Sequence, residues 1–141
     1  MKINSWKECI ELNKSLIISS DKAKAKSLLD TAKARICFAE EIILKDSNAN
    51  FVFELYYTSL IEILHAIVLY DGFKVENHVC LGYYLLDVLK KEPLYRLFDA
   101  CRFKRNSLVY YGNKMDYELA LELIEKAKKL IKELLTIENF A

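Results

Sequence analysis

The residues able to do chemistry fall in two places. In FELYYTSLIEILHAIVLY, Glu54, Thr58, Glu62 and His65 recur at three- and four-residue intervals, so a helix places them along one stripe. In RFKRNSLVYYG, the cluster Arg102, Lys104 and Arg105 is followed by Asn106, Tyr110 and Tyr111. Buried carboxylates need cationic partners, and this is the dense cationic cluster on a core-facing helix, so an ion pair between Glu62 and Arg105 is expected. An arginine held in this way can contact a phosphate, with Asn106 orienting it. Tyr110 and Tyr111, like Tyr83 and Tyr84, can stack on bases, although aromatic residues at helical spacing also suit a core or a dimer face.

Other chemistry is poorly served. His65 stands alone in an apolar helix, and His78 sits at a loop-to-helix junction where it can cap or contact the preceding turn. Neither has ligand-type neighbours at metal spacing, so no metal and no cofactor are expected. The chain has no G-x-x-x-x-G-K-[ST], no G-x-G-x-x-G and no G-x-S-x-G, which disfavours phosphate-loop and nucleophile-elbow enzymes. Cys9, Cys37, Cys80 and Cys101 are far apart without a C-x-x-C and read as buried free thiols in a reducing compartment.

These residues are positioned by helices. A chain of 141 residues with 3 glycines and 1 proline suits one domain, residues 1–141, built from long helices. Lysine and arginine number 21 against 20 acidic residues, so net charge implies no broadly basic nucleic-acid surface. MKINSWKECI lacks the apolar run of a leader, and a cytoplasmic location is expected. Phe51 to Tyr70 is apolar enough to raise a membrane span, but Glu54, Glu62 and His65 within it favour a buried helix of a soluble bundle, with no membrane partner.

Apolar residues recur at three and four throughout, predicting an all-α, up-and-down bundle of about five to six helices. The expected order is Trp6 to Ile17; Ser19 or Ser20 capping a helix to about Lys45; a central helix from about Ala49 to Tyr70, ended by Gly72; and His78 to Lys90. Pro93 then opens a fifth helix ending near Gly112, and Asp116 caps the last. A central helix apolar on more than one face offers more surface than one small bundle buries, which points to a homodimer.

The stretch FELYYTSLIEILHAIVLYDGFKVENH, with S-L-x-E-x-L-x-A leading into G-F-K-V-x-N-H, and the later FKRNSLVYYG together resemble the HEPN domains of bacteria and archaea. The likeness runs from about Phe51 to Leu135. It implies a HEPN-like helical bundle, usually homodimeric, and a partnership with a minimal nucleotidyltransferase in a toxin-antitoxin-like pair. Many HEPN proteins are metal-independent RNases using an arginine and, after four to six residues, a histidine. Arg105 matches the arginine and Asn106 the polar residue that follows it, whereas Tyr110 stands where the histidine would be. A phenol with a reference pKa of about 10 keeps its proton at neutral pH, so it is a poor substitute for imidazole in proton transfer. The expectation is therefore a dimeric binding and interaction module, with Arg105, Asn106, Glu62, Tyr110 and Tyr111 lining a polar cleft for nucleotide or RNA. The alternative is an RNase with a degenerate Arg-x4-Tyr site, or one using His65 or His78 from across a dimer interface.

Overall fold

The structure, a computed structural model, describes residues 2–111 and 115–137, with the side chains of residues 109–111 outside that description. Six helices among these residues form the expected all-α bundle, joined by one two-stranded ribbon: α1 (Trp6–Glu11), β1 (Ser15–Ile17), α2 (Lys22–Glu40), α3 (Ala49–Asp71), β2 (Phe73–Val75), α4 (His78–Tyr83), α5 (Glu92–Tyr111) and α6 (Tyr117–Ile137).

The first helix is shorter than its pattern suggests. Ser5 caps it, its hydroxyl accepting from the Glu8 amide at 3.2 Å, but the chain leaves the helix at Leu12 and Asn13 takes a left-handed φ of 57°. Ser15, Leu16 and Ile17 then pair antiparallel with Val75, Lys74 and Phe73, so the Trp6 to Ile17 helix is corrected to a helix, a turn and a strand. Ser19 and Ser20 do not cap α2. Asp21 does, accepting from the Lys24 amide at 3.0 Å, while the Ser20 hydroxyl donates to the Tyr70 carbonyl at 2.6 Å. That helix stops at Glu40 rather than near Lys45, because the Asn48 side chain ties the following turn, accepting from the Lys45 amide and donating to the Ile43 carbonyl.

The long α3 is the axle. Phe53, Tyr56, Tyr57, Leu60, Ile63 and Leu64 are buried, each such side chain contributing about 1.5–3 kcal/mol of transfer free energy. It packs against α2 on one side and α6 on another, which explains why its apolar residues cover more than one face. It is long and apolar enough to cross a membrane, but 72% of its apolar window is buried within the bundle, as in the core helix of a soluble protein. Gly72 ends it at φ 96°, a left-handed cap that side chains resist.

After β2, Asn77 caps α4, its Oδ1 accepting from the Cys80 amide at 2.8 Å. The helix expected to run to Lys90 is instead one short α-helix continued by a π-helical turn, Tyr84–Val88. Pro93 occupies the first turn of α5, where its missing N–H is harmless. The Asp116 carboxylate accepts from the Leu119 amide at 2.8 Å and so caps α6 as expected. Gly112, where α5 was expected to end, lies outside the described residues.

The cysteines depart from expectation. Cys9 and Cys80, both fully buried with Cα atoms 6.0 Å apart, form a disulfide that ties α1 to α4. Cys101 is a buried free thiol whose pKa burial pushes up to about 12, and Cys37 is exposed. The disulfide closes a separation of 71 residues, which local spacing does not reveal.

Candidate functional site

Three elements bring the titratable core together. Tyr57, on the buried face of α3, shares a 3.0 Å hydrogen bond between its hydroxyl and His78 Nδ1 at the start of α4. The Tyr57 ring lies parallel to Phe98 of α5, at 6.5 Å between centroids and 8° between planes. The Arg105 guanidinium, two turns further along α5, sits 5.4 Å above the same Tyr57 ring. Arg105 Nε is 3.7 Å from Glu54 Oε2, an ion pair without a direct hydrogen bond at that nitrogen. The cluster thus reads carboxylate, guanidinium, phenol ring, imidazole.

Burial sets its protonation. Burial raises the Tyr57 phenol far above its ordinary value, and the nearby Arg105 and Arg102 charges only partly oppose this. His78 is lowered to about 4, first by burial and then by the positive charge of Arg105, with His65 and Arg102 adding to it. At neutral pH both rings are therefore uncharged. A phenol that keeps its proton is suited to donate to the unprotonated Nδ1, which leaves the imidazole proton on Nε2. His65 is lowered too, by burial and then by Lys24.

Beside this cluster a cavity of about 420 Å³ opens between the N-terminal segment, α4 and α5, lined among others by Lys2, Asn77, Tyr95, Asp99 and Arg102. Asn77 and Val79, which flank His78, both line it. Arg102 turns back on its own helix, its Nε and Nη2 donating to Asp99 Oδ1 at 3.2 and 2.9 Å. Tyr83 stacks on Tyr95 with centroids 5.9 Å apart and donates to the Ile3 carbonyl at 3.1 Å, closing one wall. The Cys9–Cys80 disulfide and the bond from the Trp6 amide to Asp87 at 2.8 Å hold the N-terminal segment against α4 and the π-helical turn.

The expected pair between Glu62 and Arg105 does not form. Glu62 is paired instead with Arg35 of α2, and Arg105 takes Glu54. The reason is axial: eight residues of α3 separate the two carboxylates, about 12 Å along the helix, and α5 reaches only the first. Arg35 is an isolated cation on a helix whose lysines point to solvent, so the pattern gives no cue that it turns inward. Asn106 is half-buried next to Arg105. Tyr110 and Tyr111 belong to the last turn of α5, but their side chains lie outside the described residues. Tyr57 and Asp99 carry no sequence signal of a site, and His78 shows only its place at a helix start. No group of three or more His, Cys, Asp or Glu side chains able to hold a metal occurs among the described residues.

Comparison with protein-family profiles, curated proteins and solved structures gives no match.

Proposed function

We propose that this chain is a HEPN-like, dimeric binding module that holds a phosphate-bearing ligand, a nucleotide or a segment of RNA, at the Arg105 cluster. The observation that carries this reading is the guanidinium of Arg105 fixed between Glu54 and the Tyr57 ring, next to a cavity lined by Arg102 and Asn77. A cation braced on an aromatic face keeps donors for phosphate without a large rearrangement. Tyr95 and Tyr83 line the cavity together with Arg102 and supply aromatic surface there, suited to a base. The resemblance in FKRNSLVYYG supports the same assignment, and with it a minimal nucleotidyltransferase partner in a toxin-antitoxin-like pair. The test is fluorescence anisotropy with labelled single-stranded RNA and with AMP as competitor. Wild-type protein binds saturably, and Arg105→Ala weakens binding about tenfold or more, as expected for loss of a charge-assisted contact. Equal binding by both proteins would remove Arg105 from the site.

One observation favours the RNase alternative. The histidine absent after Arg105 has a counterpart in space, since His78 reaches the Tyr57 hydroxyl whose ring carries Arg105. This arrangement lies within one chain and needs no second copy. To accept a proton from a ribose hydroxyl the neutral imidazole must use Nδ1, so the Tyr57 hydroxyl has to turn away and yield that position. Cleavage without divalent metal would then persist at neutral pH and fall as pH drops through about 4. Metal-free RNA cleavage abolished by His78→Gln would select this reading over the binding module.

A further inference from the structure

The side of α5 that faces α6 is turned away from Arg102 and Arg105, and only Tyr95 and Asp99 border both it and the cavity described above. There α5 and α6 lie over a furrow made of two hollows of about 590 and 430 Å³ that share Arg96, Ala100 and Lys126. Leu94, Leu97, Ala100 and Ile137 form an apolar floor at one end. Phe103, 64% exposed, stands at the other. A side chain of that size left in water at the end of an apolar channel is the kind of surface a partner covers.

The rim is predominantly positive where the floor is most apolar. Lys91 just before α5, Arg96 on it, and Lys126 and Lys129 on α6 face a single carboxylate among the described residues, Glu133, across the larger hollow. Lys91 and Lys129 carry no ion pair among the described residues. Among the described residues Arg96 and Lys126 pair with neighbours one turn away, Glu92 at 2.7 Å and Glu122 at 3.2 Å. Such exposed pairs are weak and exchange readily for other carboxylates.

From this combination we propose that the α5–α6 furrow docks an amphipathic helix of a partner protein, one with an apolar stripe flanked by Asp and Glu. The length fits. Pro93 to Phe103 covers eleven residues of α5, about 15 Å or nearly three helical turns, so a partner helix of about a dozen residues lies along it. The floor takes its apolar residues at i, i+4 and i+7, and the lysine rim selects acidic flanks while repelling basic helices. Single-stranded nucleic acid would match the rim but leave Leu97, Ala100 and Ile137 uncovered. The inference deepens the partner-binding half of the function proposed above and does not depend on whether the Arg105 cluster binds RNA.

The probe is a fluorescein-labelled amphipathic peptide with leucines on one face and glutamates on both edges, compared with the same composition in scrambled order. Anisotropy should rise saturably with the full chain, and the scrambled peptide should bind about tenfold more weakly or worse. Leu97→Glu should weaken the amphipathic peptide by about tenfold, and Lys129→Glu by about threefold with a flatter salt dependence. Arg105→Ala should leave peptide binding unchanged, which separates this site from the RNA site. Equal binding of the two peptides, or binding unchanged in both Leu97→Glu and Lys129→Glu, overturns the proposal. So does displacement of the peptide by single-stranded RNA in the Arg105→Ala protein, which would make the furrow a nucleic-acid surface. Sedimentation showing that wild type self-associates, and that Leu97→Glu and Lys129→Glu abolish this, would assign the furrow to a second copy and also overturn it. Lys129 is exposed, so its variant folds even where Leu97→Glu does not.

Discussion

Lowering the pH from 7 to 4.5 should cost this protein stability through His78, to which His65, also lowered by burial, adds. His78 ionises near its ordinary value of 6.5 in the unfolded chain but only at about 4 in the fold, where burial and the charges of Arg105, His65 and Arg102 oppose a proton. Between those two values the unfolded chain binds a proton that the folded chain refuses. Stability from the neutral, hydrogen-bonded ring is therefore fully present above about pH 6.5 and is lost as pH falls toward 4. Each pH unit of that window is worth about 1.4 kcal/mol, a ceiling of about 3 kcal/mol in all. Solvent reaches part of the ring, so about 1–2 kcal/mol is the expected loss. The assay is urea unfolding at pH 7 and pH 4.5 for wild type and for His78→Gln, which keeps an acceptor near Tyr57 but cannot titrate. Wild type should lose about 1–2 kcal/mol more than the variant over this interval. Equal losses, or an imidazole that titrates near 6.5 in the folded protein by NMR, would refute the argument.

Other consequences can be checked on the same samples. Removing the cation in Arg105→Ala leaves Glu54 partly buried beside an aromatic ring, and should destabilise the fold by about 1–2 kcal/mol in urea, with Glu54→Gln costing less. Gly72→Ala puts a side chain on a φ of 96°, with its Cβ 3.1 Å from the Ile18 carbonyl oxygen. A loss of about 1–2 kcal/mol is expected by thermal or chemical unfolding. Replacing Cys9 and Cys80 together by alanine frees a loop of 71 residues and should cost about 3–4 kcal/mol, read as a lower urea midpoint. Alkylation of the unreduced, unfolded wild-type chain should modify two of its four cysteines, Cys37 and Cys101.

Much of the bundle is legible in the residues because its signals are local. Alternating threes and fours over Ala49 to Tyr70, Gly72 after them, Pro93 at a helix start and Asp116 before another are each written within one or two turns. The strands escaped for the opposite reason. Ser-Leu-Ile and Phe-Lys-Val are three residues long, and each becomes a strand only by meeting the other across 55 or more residues of chain. The π-helical turn at Tyr84–Val88 likewise follows from packing rather than from residue type.

The site divides along the same line. Arg105 stands out because it sits in a basic run on a core-facing helix, and a carboxylate of α3 does meet it. Which carboxylate depends on the height of α5 against α3, a tertiary quantity, so Glu54 rather than Glu62 is the partner. The contact between Tyr57 and His78 is set by how β2 returns the chain to the bundle, and the disulfide that fixes α4 there joins residues far apart in sequence. Periodicity alone makes Tyr57 a core aromatic, which it also is.

The central claim is that the cluster of Arg105, Tyr57 and His78 is where a phosphate-bearing ligand binds. The most direct measurement follows the Arg105 Nε and His78 imidazole nitrogen resonances by NMR during titration with a short single-stranded RNA in EDTA, with the RNA checked for cleavage at the end. Both resonances should move saturably along one isotherm while the RNA stays intact. Resonances that stay fixed while the RNA binds elsewhere, or RNA that is cut, would contradict the account.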